Sequence, residues 1–79
     1  MKNQKICPCC FSKTLSSTGN YELCPVCFWE DDPIQSSDPN YEGGANKVSL
    51  NQAQVNFKKI GACSVEFIGD VREPLDNEK

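Results

Sequence analysis

Seventy-nine residues, 38% of them hydrophobic, make one small domain that buries too little apolar surface to hold together without a staple; six cysteines are the available one. Eight basic and eleven acidic side chains give a net charge of −3, which disfavours nucleic acid and anionic membranes and favours a basic protein partner. The N-terminal MKNQKICPCC lacks an apolar stretch of signal-peptide length, and no run approaches the roughly 18 apolar residues of a membrane span.

A cytoplasmic location is expected on that basis. In a reducing compartment, cysteine clusters serve metals or redox chemistry more often than disulfides. The chain opens with Cys7-Pro8-Cys9-Cys10, the start of a predicted ribbon over about 5–30. Thr14–Ser16 and Tyr21–Leu23 flank a polar stretch containing Gly19-Asn20, which predicts a hairpin between the cysteine pairs. Cys24-Pro25-Val26-Cys27 closes the ribbon, and the aromatics Phe28 and Trp29 are expected to form much of the core beside it.

Residues 31–46, DDPIQSSDPNYEGGAN, read as an acidic loop in which Pro33 and Pro39 stop regular structure. The helical part spans 47–72. Its main helix, about 49–60, starts at Ser49 as N-cap, with Gln52 completing a capping box and Val48 stapled to Ala53. Leu50, Ala53, Phe57 and Ile60 form the inward face. Lys58 and Lys59 suit the negative end of the helix dipole, and Gly61 ends the run. A second short helix is expected from near Ser64 to before Pro74, with Phe67, Ile68 and Val71 on one face. A single domain over 1–75 then leaves 76–79 as a polar tail that frays.

Both cysteine pairs read C-P-x-C, and 13 residues separate them. That is slightly below the guide spacing of roughly 15–20, but two such knuckles can fold against each other and present four thiolates to one ion. Cys7, Cys10, Cys24 and Cys27 are therefore the candidate ligands. The chain has no histidine, so a four-sulfur site remains, which suits zinc or iron. A closed four-sulfur zinc site is structural, with no position open for substrate. Four thiolates and one divalent cation would bring the domain to about −5.

Cys63 reads as a small buried residue, and Cys9 as a spectator, a ligand exchanging with Cys10, or a partner for Cys63. Glu30, Asp31 and Asp32 read as a solvated acidic turn without calcium-site spacing. No nucleophile–base set or phosphate loop is present, so no enzyme activity is expected. The fold class is small α+β: a zinc-ribbon-like hairpin with two CxxC knuckles, packed against one or two C-terminal helices.

CPCC, then CPVCFWEDDP, then DPNYEGGANKVSLNQAQVNFKKIGA resemble the bacterial cysteine-rich CPCC domain from about Ile6 to Arg72. The resemblance implies that Cys9, Phe28–Pro33 and Gly43–Asn46 belong to a shared pattern, and it supplies no catalytic residues. Some members are encoded near polymorphic toxins, which makes neutralisation of a cognate toxin one implied role. The expected function is a protein-interaction module built on one structural Zn²⁺, with Trp29, Glu30, Asp31, Asp32 and Tyr41 as partner contacts. A rubredoxin-like iron carrier also has two C-P-x-C turns, but it usually has Gly where Phe11 and Phe28 stand here.

Overall fold

The computed structural model describes residues 4–79. It begins with an antiparallel pair, β1 (Lys5–Ile6) and β2 (Lys13–Leu15), joined by the first cysteine turn. Residues 21–24 then run against 29–31 across the second cysteine turn. There Leu23 bridges to Glu30, and the Cys24 N–H donates to the Trp29 carbonyl at 2.9 Å.

Each cysteine pair thus sits in the bend of its own hairpin, and the hairpin expected between the pairs does not form. A four-residue turn closes at a lower entropic cost than a 13-residue connection. Lys13 and Leu15 pair with the N-terminal strand, and Tyr21–Leu23 turn to the segment after the second pair. The stretch between is held by carboxylates instead of a ladder. Glu22 accepts from the Ser16 N–H at 3.0 Å and its hydroxyl at 2.8 Å, and Asp31 Oδ2 accepts from the Gly19 N–H at 2.7 Å.

Pro33 does not stop regular structure but begins α1 (Pro33–Ser37). At the first helical position its missing N–H costs nothing, and Asp32 caps the turn by accepting from the Ile34 N–H at 2.8 Å. Gln35, fully buried, organises the loop that follows. Its amide nitrogen donates to the carbonyls of Tyr41, Asn46 and Val48, and its oxygen accepts from the backbone and side-chain nitrogens of Asn46. Asn46 in turn brackets Glu30, accepting from its N–H and donating to its carbonyl.

The main helix, α2 (Leu50–Ile60), has the expected ends. Ser49 Oγ accepts from the Gln52 N–H at 3.1 Å, and Gly61 adopts φ 76 while donating to the Phe57 carbonyl. The capping box is only half made, because the Gln52 side chain turns to Asn56. Leu50 and Ala53 are buried, whereas Ile60 is exposed.

The second predicted helix is a 3-10 helix, Val65–Asp70. With about three residues per turn it cannot hold Phe67 and Ile68 on one face. Phe67 packs on Phe28 at a ring separation of 4.9 Å, and Ile68 faces out. The tail folds back on the domain. Asp76–Glu78 form a 3-10 turn against β2, with Glu78 buried and paired to Arg72 through two contacts of 2.9 Å.

The core gathers Cys7, Cys9, Leu15, Cys24, Val26, Cys27, Trp29, Leu50, Ala53 and Cys63. Five of these ten are cysteines, so little of the core is hydrocarbon. Among the described residues, no helix is long and apolar enough to cross a membrane.

Candidate metal centre

The two knuckles repeat one backbone pattern. In the first, the Phe11 N–H donates to the Cys7 carbonyl at 2.8 Å; in the second, the Phe28 N–H donates to the Cys24 carbonyl at 2.8 Å. Each closing residue is left-handed, Phe11 at φ 65 and Phe28 at φ 71. A side chain there costs on the order of 1 kcal/mol, and glycine would avoid it. Proline in the second slot of each turn presets φ for the bend.

This geometry brings the Sγ atoms of Cys7, Cys10, Cys24 and Cys27 within 4.8 Å of one another. Cys7 and Cys27 sulfurs are 3.6 Å apart, and those of Cys10 and Cys24 are 3.7 Å apart. A disulfide needs about 2.05 Å, and all six cysteines are free. Four sulfurs placed tetrahedrally at about 2.3 Å from an ion have edges of about 3.8 Å. The donor set and its spacing therefore fit one metal ion, without selecting which.

Cys7, Cys24 and Cys27 are fully buried and Cys10 half-buried. Thr14 Oγ1 lies 3.0 Å from Cys24 Sγ. Four sulfurs this close cannot all carry charge in the absence of a cation. The neighbouring sulfurs of Cys10, then Cys27 and Cys7, pull the Cys24 thiol far down. Cys24 pushes Cys10 up, but Cys27 and Cys7 together bring it down to about 7. Cys7 and Cys27, crowded by the sulfurs of Cys10 and then Cys24, are pushed up.

The remaining cysteines flank this cluster. Cys9 and Cys63 are both buried, and the Cys63 N–H donates to the Cys27 carbonyl at 2.8 Å. Burial, reinforced by neighbouring Cys9, pushes the Cys63 thiol up to about 12, which leaves it inert.

Three of the five expected partner contacts are interior. Trp29 is fully buried beside the sulfurs, and its indole Nε1 has no hydrogen-bond partner among the described residues. Asp31 and Asp32 are also buried. Asp31 accepts from Gly19, and Asp32 caps α1 and accepts from the Ala45 N–H at 2.9 Å. The acidic turn is thus a structural bracket and not a solvated face. Glu30, half-buried, and Tyr41, exposed, retain accessible surface. Glu30 borders a groove of about 360 Å³ walled by Leu23, Phe28, Val48 and Phe67.

Thr14, Gln35 and Asn46 have contacts in the structure that the sequence does not assign to them. Asn46 stands in the GGAN stretch, which was a signal. Thr14 and Gln35 carry none: Thr14 meets Cys24 ten residues on, and four of the five contacts of Gln35 reach 11 or 13 residues along the chain.

A small chain with a two-stranded antiparallel hairpin, a few short helices and four clustered cysteines defines a cysteine-centred domain able to hold one metal ion. The family model for the cysteine-rich CPCC proteins matches residues 5–78, and the chain belongs to that family. No curated protein matches the sequence.

Proposed function

We propose that this chain is a small zinc-ribbon-like protein in which one structural Zn²⁺, held by Cys7, Cys10, Cys24 and Cys27, stands in for a hydrocarbon core. The observation that carries the reading is the sulfur spacing of 3.6 and 3.7 Å, close to the edge of a zinc–thiolate tetrahedron. The core composition supports it, since a core half made of cysteine offers little hydrocarbon to bury and metal binding by the clustered sulfurs would add folding free energy.

On this base the domain acts in the cytoplasm as a protein-interaction module for a basic partner. The contact surface moves from the acidic loop to the groove beside Glu30, with Tyr41 outside it, because Trp29, Asp31 and Asp32 are interior. A cognate toxin is the specific version of that partner. If the adjacent gene product is harmless when expressed alone, or stays toxic beside this chain, that version is removed.

Iron is the second reading, and one observation favours keeping it. Phe11 and Phe28 adopt a left-handed backbone of the kind that favours glycine, so having Phe where rubredoxins usually have Gly does not separate the two metals. Elemental analysis and an absorption spectrum of the purified protein decide the matter. One equivalent of zinc and no visible colour is expected; a red protein with one iron overturns it. Cys9→Ser should keep the metal and Cys10→Ser should lose it, and the reverse would overturn the ligand set.

A further inference from the structure

We propose that Thr14 is a positioning residue of the metal centre, its hydroxyl donating to the Cys24 thiolate and setting how firmly that sulfur holds the ion. The inference rests on the four-cysteine metal reading above. Thr14 Oγ1 and Cys24 Sγ are 3.0 Å apart and both residues are buried. A metal-bound thiolate has no proton, so the hydroxyl must be the donor. The four sulfurs are otherwise unequal in what surrounds them. Cys10 is the half-buried corner, where water can spread its charge. Cys24 is fully enclosed, and the Thr14 hydroxyl is the one side-chain oxygen bonded to any of the four among the described residues.

The strand that carries the hydroxyl is packed by two other elements. Thr14 lies on β2, which pairs with β1, and the C-terminal turn closed by Arg72 and Glu78 packs on the same strand. The position of Thr14 is therefore set by the fold, and burial of the residue limits the freedom of its hydroxyl to turn away from Cys24. Outer hydrogen bonds of this kind spread thiolate charge and orient the ligand, and their loss typically lowers metal affinity about 10- to 100-fold.

The test compares wild type, Thr14→Val and Thr14→Ser in the full chain, by zinc competition with a chromophoric chelator and by the thiolate-to-cobalt band of the Co²⁺-loaded protein. Thr14→Val should bind zinc about tenfold more weakly and shift the cobalt band, and Thr14→Ser should restore both. Affinity within twofold of wild type and an unshifted band in Thr14→Val overturn the proposal. So does a Thr14→Ser protein that behaves like Thr14→Val, which assigns the residue to packing. If Thr14→Val does not fold, Thr14→Ala repeats the contrast against Thr14→Ser. A wild type that takes up neither zinc nor cobalt overturns the metal reading itself; a wild type that binds both while the variants match it overturns only the role of Thr14.

Discussion

Replacing Gln35 by leucine keeps the size of the side chain while removing every polar contact it makes. Five contacts of 2.9 to 3.1 Å disappear, three from its amide nitrogen and two to its oxygen. Asn46 Nδ2 still reaches the Glu30 carbonyl at 2.8 Å, so the groups left stranded in the interior are the Asn46 N–H and carbonyl. Each unsatisfied buried backbone group costs about 1–3 kcal/mol, and the leucine recovers part of this by apolar burial. A net loss of about 2–3 kcal/mol is expected, from a total of about 4–12 for a chain of this size. Urea unfolding of the zinc-saturated protein, followed by emission of the single buried Trp29, measures it. Metal stoichiometry should not change, because all four candidate ligands come from other segments. Asn46→Ala should be destabilising alone but add little on top of Gln35→Leu, since both remove the same connections. A Gln35→Leu protein within 0.5 kcal/mol of wild type, or full additivity with Asn46→Ala, would refute the view that this amide pair holds the loop over 36–46; the threshold is roughly the usual error on independent sites.

Chelating the metal should unfold the domain, with loss of near-ultraviolet ellipticity from Trp29 and collapse of amide shift dispersion; a chelated protein with its native spectrum would show that the core stands without an ion. Gly44→Ala should destabilise by about 1–3 kcal/mol, because the added carbon would lie 2.6 Å from Asp32 Oδ2 and 3.0 Å from Gln35; an unchanged urea midpoint would contradict this. Hydrogen bonds from the backbone of Ala45, then Ile34, hold the Asp32 carboxyl below its ordinary value of 3.8 although burial opposes them. A depressed carboxyl contributes stability that is complete above its unfolded value and is lost only as pH falls through the folded one. The stability gap between wild type and Asp32→Asn should therefore stay constant from about pH 7 to pH 5, and a gap that closes near pH 6 would refute it. Deleting 76–79 should lower the urea midpoint through loss of the Glu78–Arg72 pair, whereas removal of a frayed tail would leave it unchanged.

What could be read from the chain is what neighbouring residues settle among themselves. The ends of α2 follow from Ser49 and Gly61, each bonding within four residues of its own position. The grouping of Cys7 and Cys10 with Cys24 and Cys27 follows from two C-P-x-C turns, each closed by a hydrogen bond from the fifth residue to the first. Composition added that a chain with so little hydrocarbon needs a different centre.

Tertiary structure decided everything that depends on partners distant in the chain. Pro33 reads as a breaker until Asp32 is seen to cap the turn it begins and to accept from Ala45, 13 residues on. An acidic run reads as solvated until Asp31 meets the Gly19 N–H and Asp32 the Ala45 N–H, neither of which a local rule names. Trp29, readable from the chain both as core and as a partner contact, proves to be core, and the tail becomes a clasp because Glu78 meets Arg72. The physical reason is range: turns and caps close within one or two bends of the chain, while burial and hydrogen-bond satisfaction depend on where remote segments come to rest.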